Sequence, residues 1–165
     1  METLTAIHVL LSLAGIVAGF VVIFGLLGGK RLDRWTAFFL GTTVLTSLTG
    51  YLFPVHKLMP SHILGALSLI ALALAIYARY RRDMTARWRS VYVATAILAQ
   101  YFNVFVLVVQ SFLKIPSLKA LAPTQSEPPF AIAQGLVLVV FVALGILAVK
   151  RFRIEPLSAA ASTSR

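Results

Sequence analysis

Residues 130–149 read FAIAQGLVLVVFVALGILAV, an unbroken apolar run set between Glu127-Pro128-Pro129 and Lys150-Arg151. At 1.5 Å per residue, about 20 helical residues cross a hydrocarbon core of ~30 Å. A soluble helix needs one polar face, and this segment has none wide enough. Four more stretches share its character: Leu4–Leu27, Trp35–Phe53, Ile63–Tyr80 and Val91–Leu113. None holds an Asp, Glu, Lys or Arg until Arg79 enters the last turn of the third. The chain therefore reads as an all-α polytopic membrane protein, a bundle of five transmembrane helices. The spans form one domain over residues 1–153, and the small, polar segment 154–165 reads as a disordered cytoplasmic tail.

Composition agrees: 59% of the 165 residues are hydrophobic, 12% are charged, and the mean hydropathy is +0.91. Cysteine is absent, which removes disulfides, thiolate metal sites, iron–sulfur clusters and cysteine nucleophiles. P-loop, GxGxxG and GxSxG patterns are absent too, so ATPase, dinucleotide and serine-hydrolase chemistry has no support. No Asp or Glu lies deep in a span, where an ion-coupled carrier would place its carboxylate.

The net charge of +10 is distributed unevenly. With alternate loops on opposite sides, one side receives Lys30, Arg31, Arg34, Arg79, Arg81, Arg82, Arg87, Arg89, Lys150, Arg151, Arg153 and Arg165. The other receives only Lys57, Lys114 and Lys119. The positive-inside rule then puts the N-terminus outside and the C-terminus in the cytoplasm. The basic residues read as anchors against anionic headgroups of the lipid bilayer rather than as a nucleic-acid surface. Glu2 and the absence of Lys or Arg before the first apolar run argue against a signal peptide, so the first span reads as retained.

Within the spans, Gly15/Gly19 and Gly25/Gly29 repeat every four residues, a spacing that lets helix backbones approach closely; packing within the monomer is the expected use. Span two carries Thr42, Thr43, Thr46, Ser47 and Thr49 and is expected inside the bundle. Trp35, Trp88 and the Tyr77–Arg82 segment read as interfacial anchors. Span four aligns Tyr92, Ala96, Gln100, Asn103, Leu107 and Gln110 on one face. Amides there must meet another helix, a wet cleft or a ligand, because an unpaired amide in hydrocarbon costs several kcal/mol. The prolines of the 114–129 loop predict a stiff, extended outer segment, with Thr124 or Glu127 capping the last span and Gln134 about one turn inside it.

The three histidines, His8, His56 and His62, all fall at the outer ends of spans. If they converged, they would suit a divalent metal, haem b or a quinone-like molecule. A solvated interfacial role is the plainer reading.

The segments Tyr101–Gln110 (YFNVFVLVVQ), Leu121–Phe130 (LAPTQSEPPF) and Pro60-Ser61-His62 resemble small, uncharacterised multi-pass membrane proteins of proteobacteria. The resemblance extends over most of the chain and implies a bacterial inner-membrane location. It carries no activity. The expected role is non-enzymatic: a scaffold, an accessory subunit or a small-ligand binding protein, with a polar outer-face site built from Gln100, Asn103, Gln110, Glu127 and Gln134. The partner would be another membrane protein or a second copy in a homo-oligomer. The alternative is a redox or metal protein using His8, His56 and His62. A third reading is an oligomeric channel or carrier with Gln100 and Asn103 on its path.

Overall fold

The computed structural model describes residues 2–53 and 60–153. His56, Lys57 and the 154–165 tail lie outside these residues. Every described element is helical: α1 (Glu2–Leu27), α2 (Asp33–Gly50), α3 (Pro60–Ile76) continuing into a π-helical turn (Tyr77–Arg81), α4 (Trp88–Lys114), α5 (Pro116–Leu121) and α6 (Pro128–Arg151). Four of the helical segments are long and apolar enough to cross a membrane: α1, residues His62–Arg81, α4 and α6. The sequence reading had five spans of equal standing. Helix α2 falls short because Asp33, Arg34 and the hydroxyl residues Thr36, Thr42, Thr43, Thr46, Ser47 and Thr49 dilute its apolar content.

Helix ends follow local chemistry. At the close of α1, Gly29 takes the left-handed conformation (φ 70°) that glycine adopts without Cβ strain. The Lys30 amide then donates to Gly25 O (2.7 Å) and the Gly29 amide to Leu26 O (3.1 Å), a Schellman stop. Gly29 is thus a helix terminator and not part of a small-residue packing stripe. Pro116 begins α5 instead of holding the segment extended, because the first position of a helix needs no N–H. Helix α6 also starts on proline, with Glu127 at its N-cap position but no side-chain bond into the helix.

Side-chain bonds fix the relative directions. At one end, Arg79 pairs with Asp33 at the start of α2 and donates to Arg31 O (3.1 Å). At the other, the Tyr51 hydroxyl donates to His62 O (2.7 Å), and His8 Nδ1 lies 2.9 Å from Thr49 Oγ1. Helix α2 is therefore antiparallel to α1 and α3 and reaches between the same two ends; its 18 residues extend about 27 Å. Helices α4 and α6 are antiparallel as well. Arg89 at the start of α4 donates to Val149 O (2.8 Å) and to Phe152 O near the end of α6. The rings of Phe112 and Phe130 meet at 5.4 Å at the opposite end.

The core runs through small and medium side chains. Ala18, Ala75, Ala78, Ala99 and Ala148 are fully buried and let backbones close up; Val22, Ile23, Leu26, Phe39, Leu72, Tyr92 and Val93 fill the space between them. The outward faces are apolar, including Leu10, Val17, Phe24, Ile63, Ile132, Leu136 and Val139. Thr36, Thr43, Ser68 and Gln100 are inside. This polarity, with these hydroxyls and the Gln100 amide in and aliphatics out, matches a hydrocarbon surround.

Candidate functional site

Gln100 and Asn103 lie where α1, α2 and α4 meet. Gln100 is wholly buried, and its Nε2 donates to Ile16 O across 2.8 Å. Asn103 Nδ2 donates to Thr43 Oγ1 (3.2 Å) and to Gln100 Oε1 (3.4 Å). The amide fits there because position 19 is glycine: a Cβ would overlap the Gln100 amide group. One turn earlier, a Cβ on Gly15 would stand 3.2 Å from Thr42 Oγ1 and 3.3 Å from Thr43 Oγ1. The Gly15/Gly19 stripe is therefore spent inside the monomer. Chemically the junction is a hydrogen-bonded clasp, with each amide holding a neighbouring helix.

The remaining amides lie apart from that clasp. Gln110 is exposed near the end of α4. Gln134 Nε2 donates to Phe105 O (3.1 Å), joining α6 to α4, while its Oε1 is buried with no bonded partner among the described residues. Gln125 Nε2 ties the α5–α6 loop to Val109 O at 2.8 Å. Glu127 folds back on its own loop: its carboxylate accepts from Thr124 N (3.1 Å), Thr124 Oγ1 (2.8 Å) and Ser126 N (3.1 Å). Partial burial pushes the Glu127 carboxyl up, but these bonds together outweigh it and hold the group below the ordinary carboxylate value.

His8 and His62 are held by different residues near the end of α2. His8 pairs with Thr49 and meets Phe53 edge-on at 5.3 Å; the His62 ring meets Tyr51 at 5.5 Å. Among the described residues, no three His, Asp or Glu side chains gather as a metal-binding group. His56 lies outside those residues.

A constellation that sequence reasoning did not assemble lies at the basic end. Arg79 is 1% exposed although it reads as an interfacial anchor. Its guanidinium pairs with Asp33, donates to Arg31 O and Met84 Sδ, and lies 4.9 Å over the Tyr92 ring. Arg31 extends the network to Asp33 (3.0 Å) and Asp83 (3.4 Å). Leu32, Asp83, Met84 and Ala86 all adopt positive φ in the two turns that close round it. The available signal was charge arithmetic: among the described residues, Asp33 and Asp83 are the only acids near Arg79, one opening α2 and the other following the π-helical turn.

Beside this cluster, the start of α4 and the end of α6 enclose a concavity of about 700 Å³ lined by Asp83, Met84, Arg89, Val149, Lys150 and Arg153. An apolar groove of about 480 Å³ between α4 and α6 shares Val149 and Lys150 with it. The chain matches no protein-family model, no curated protein and no solved structure.

Proposed function

We propose that the protein is a five-span, non-enzymatic scaffold or accessory subunit of a bacterial inner membrane, with its N-terminus outside and its C-terminus in the cytoplasm. The supporting observation is the way polar groups are used. Gln100, Asn103, Thr43 and Arg79 bind α1, α2, α3 and α4 to one another, while α6 leaves most of its surface apolar and uncovered. A bundle fastened internally, with one helix at its margin, suits a protein that presents a membrane-embedded face to a neighbour. Helix α2 completes the count of spans because it reaches between the same ends as α1 and α3. The orientation follows from the clustering of Lys30, Arg31, Arg34, Arg79, Arg81, Arg82, Arg87, Arg89, Lys150, Arg151 and Arg153 at one end.

On this reading the outer-face residues Gln110, Glu127 and Gln134 shape the α4–α6 connection, and the partner meets Ile132, Leu136 and Val139, which are 69%, 64% and 66% exposed. A photo-crosslinking amino acid at Val139, with Val17 of α1 as control, tests it in native membranes. A discrete protein adduct from position 139 alone is the expected result. Lipid adducts only, from both positions, would remove the accessory role.

A further inference from the structure

We infer that the adjoining concavities at α4 and α6 form a site for an anionic phospholipid, the phosphate at Lys150 and Arg153 and one acyl chain along the groove. The inference rests on the membrane topology proposed above, which puts this end of the bundle at the cytoplasmic leaflet.

Three observations carry it. The first is adjacency: the basic mouth and the apolar groove share Val149 and Lys150 in their walls, which puts a headgroup site and a chain site side by side. The second is charge. Arg89 is held in place by Val149 O and Phe152 O, and Asp83 is paired with Arg31. Lys150 and Arg153, like Arg89, have no ion-pair partner among the described residues, and these two have no carbonyl holding them away from a leaflet that supplies anionic headgroups. Basic pockets between membrane helices on the cytoplasmic side hold phosphate headgroups in just this way. The third is shape. The groove is lined by Ile97, Leu98, Leu138, Val142, Gly145 and Ile146, and Gly145 opens it. A Cβ there would make only ordinary contact with Ile97 Cγ2, 3.8 Å away, and atoms beyond it would take up groove space.

The test is native mass spectrometry of the purified, delipidated full chain, titrated with phosphatidylglycerol or phosphatidylcholine at equal concentrations. Wild-type protein should retain phosphatidylglycerol preferentially. The K150Q/R153Q pair should lower that preference roughly thirtyfold, as expected for two headgroup-facing cations. The K114Q/K119Q pair removes the same charge from the opposite end and should leave it unchanged. Gly145→Leu should shorten lipid retention while leaving both cations in place. Equal loss from both charge pairs, or full retention in Gly145→Leu, would overturn the site. So would displacement of the lipid by excess inorganic phosphate, which would make the mouth a phosphate site without a chain. Helical content and protease protection in pure phosphatidylcholine vesicles report separately on the topology: their persistence alongside a failed titration would sink the lipid site alone.

Discussion

Gln100 can lie flat against α1 only because residue 19 carries no side chain. Gly19→Ala forces the amide aside and breaks its bond to Ile16 O, leaving buried polar atoms unpaired at about 1–3 kcal/mol. Gln100→Ala, which removes both the bond and the obstacle, should cost about 1 kcal/mol, the scale of interhelical bonds in membranes. The two effects must couple: in the Q100A background, G19A should cost far less than it does alone. Equilibrium unfolding in detergent checks this, and strictly additive costs would mean the amide does not occupy the Gly19 face. Arg79 offers a second asymmetric pair. Asp33 is 69% exposed, so water can replace much of what Asp33→Asn removes, and the loss should stay under about 1 kcal/mol. Arg79→Ala also discards the contact with Tyr92, the bond to Arg31 O and a buried side-chain volume, for roughly 2–5 kcal/mol. Equal costs for the two substitutions would show that the ion pair, and not the packing of the guanidinium, fastens this corner. The sequence reading placed Arg79 among interfacial anchors because an arginine in a last turn is ordinary there. Its burial depends on Asp33, 46 residues earlier, and on turns with positive φ that no local pattern announces.

At the scale of elements, the long apolar runs were legible because length and uninterrupted hydropathy are properties of the segment alone. Their observed ends fall within a few residues of the charges and prolines that bound them. What the runs hid was the use of small and polar groups. Gly15 and Gly19 read correctly as packing residues, whereas Gly29, at the same spacing from Gly25, terminates the helix; only backbone conformation separates the two roles. Prolines misled at α5, where Pro116 starts a helical turn that a proline count reads as extended. The amide stripe of α4 was visible as a stripe, but not which of Gln100, Asn103 and Gln110 would find helices opposite them. The α5–α6 loop carries its own prediction. Glu127 has a carboxyl held below its unfolded value, so its bonds to Thr124 and Ser126 support the loop at neutral pH and fade as pH falls through the folded value. Amide exchange at Thr124 and Ser126 should therefore accelerate, relative to other loop amides, on acidification below the ordinary carboxylate range. Glu127→Gln should abolish that pH dependence. Unchanged relative exchange in the wild-type chain would show that the carboxylate does not order the loop.

For the whole molecule, the question is which end faces which compartment, and the charge distribution supplies the physical argument. Helix directions put the starts of α2 and α4 and the ends of α1, α3 and α6 together, so cations separated widely in sequence become one ring. Moving that ring across a hydrocarbon core would strip hydration from about ten cations at once, at a cost of several kcal/mol for each, whereas the opposite end must move only Lys114 and Lys119 among its described residues. In the topology proposed above the ring stays in the cytoplasm, which is the lower barrier. The absence of cysteine makes the consequence easy to measure, since every introduced thiol is the sole target. Ser117→Cys in α5 and Thr85→Cys in the turn before α4 are both exposed positions at opposite ends. In intact cells an impermeant maleimide should label position 117 and leave position 85 unlabelled until the membrane is permeabilised. The reverse pattern would invert the molecule. Labelling of both positions in intact cells would mean that α4 does not separate the two compartments, and the proposed topology would fall with it.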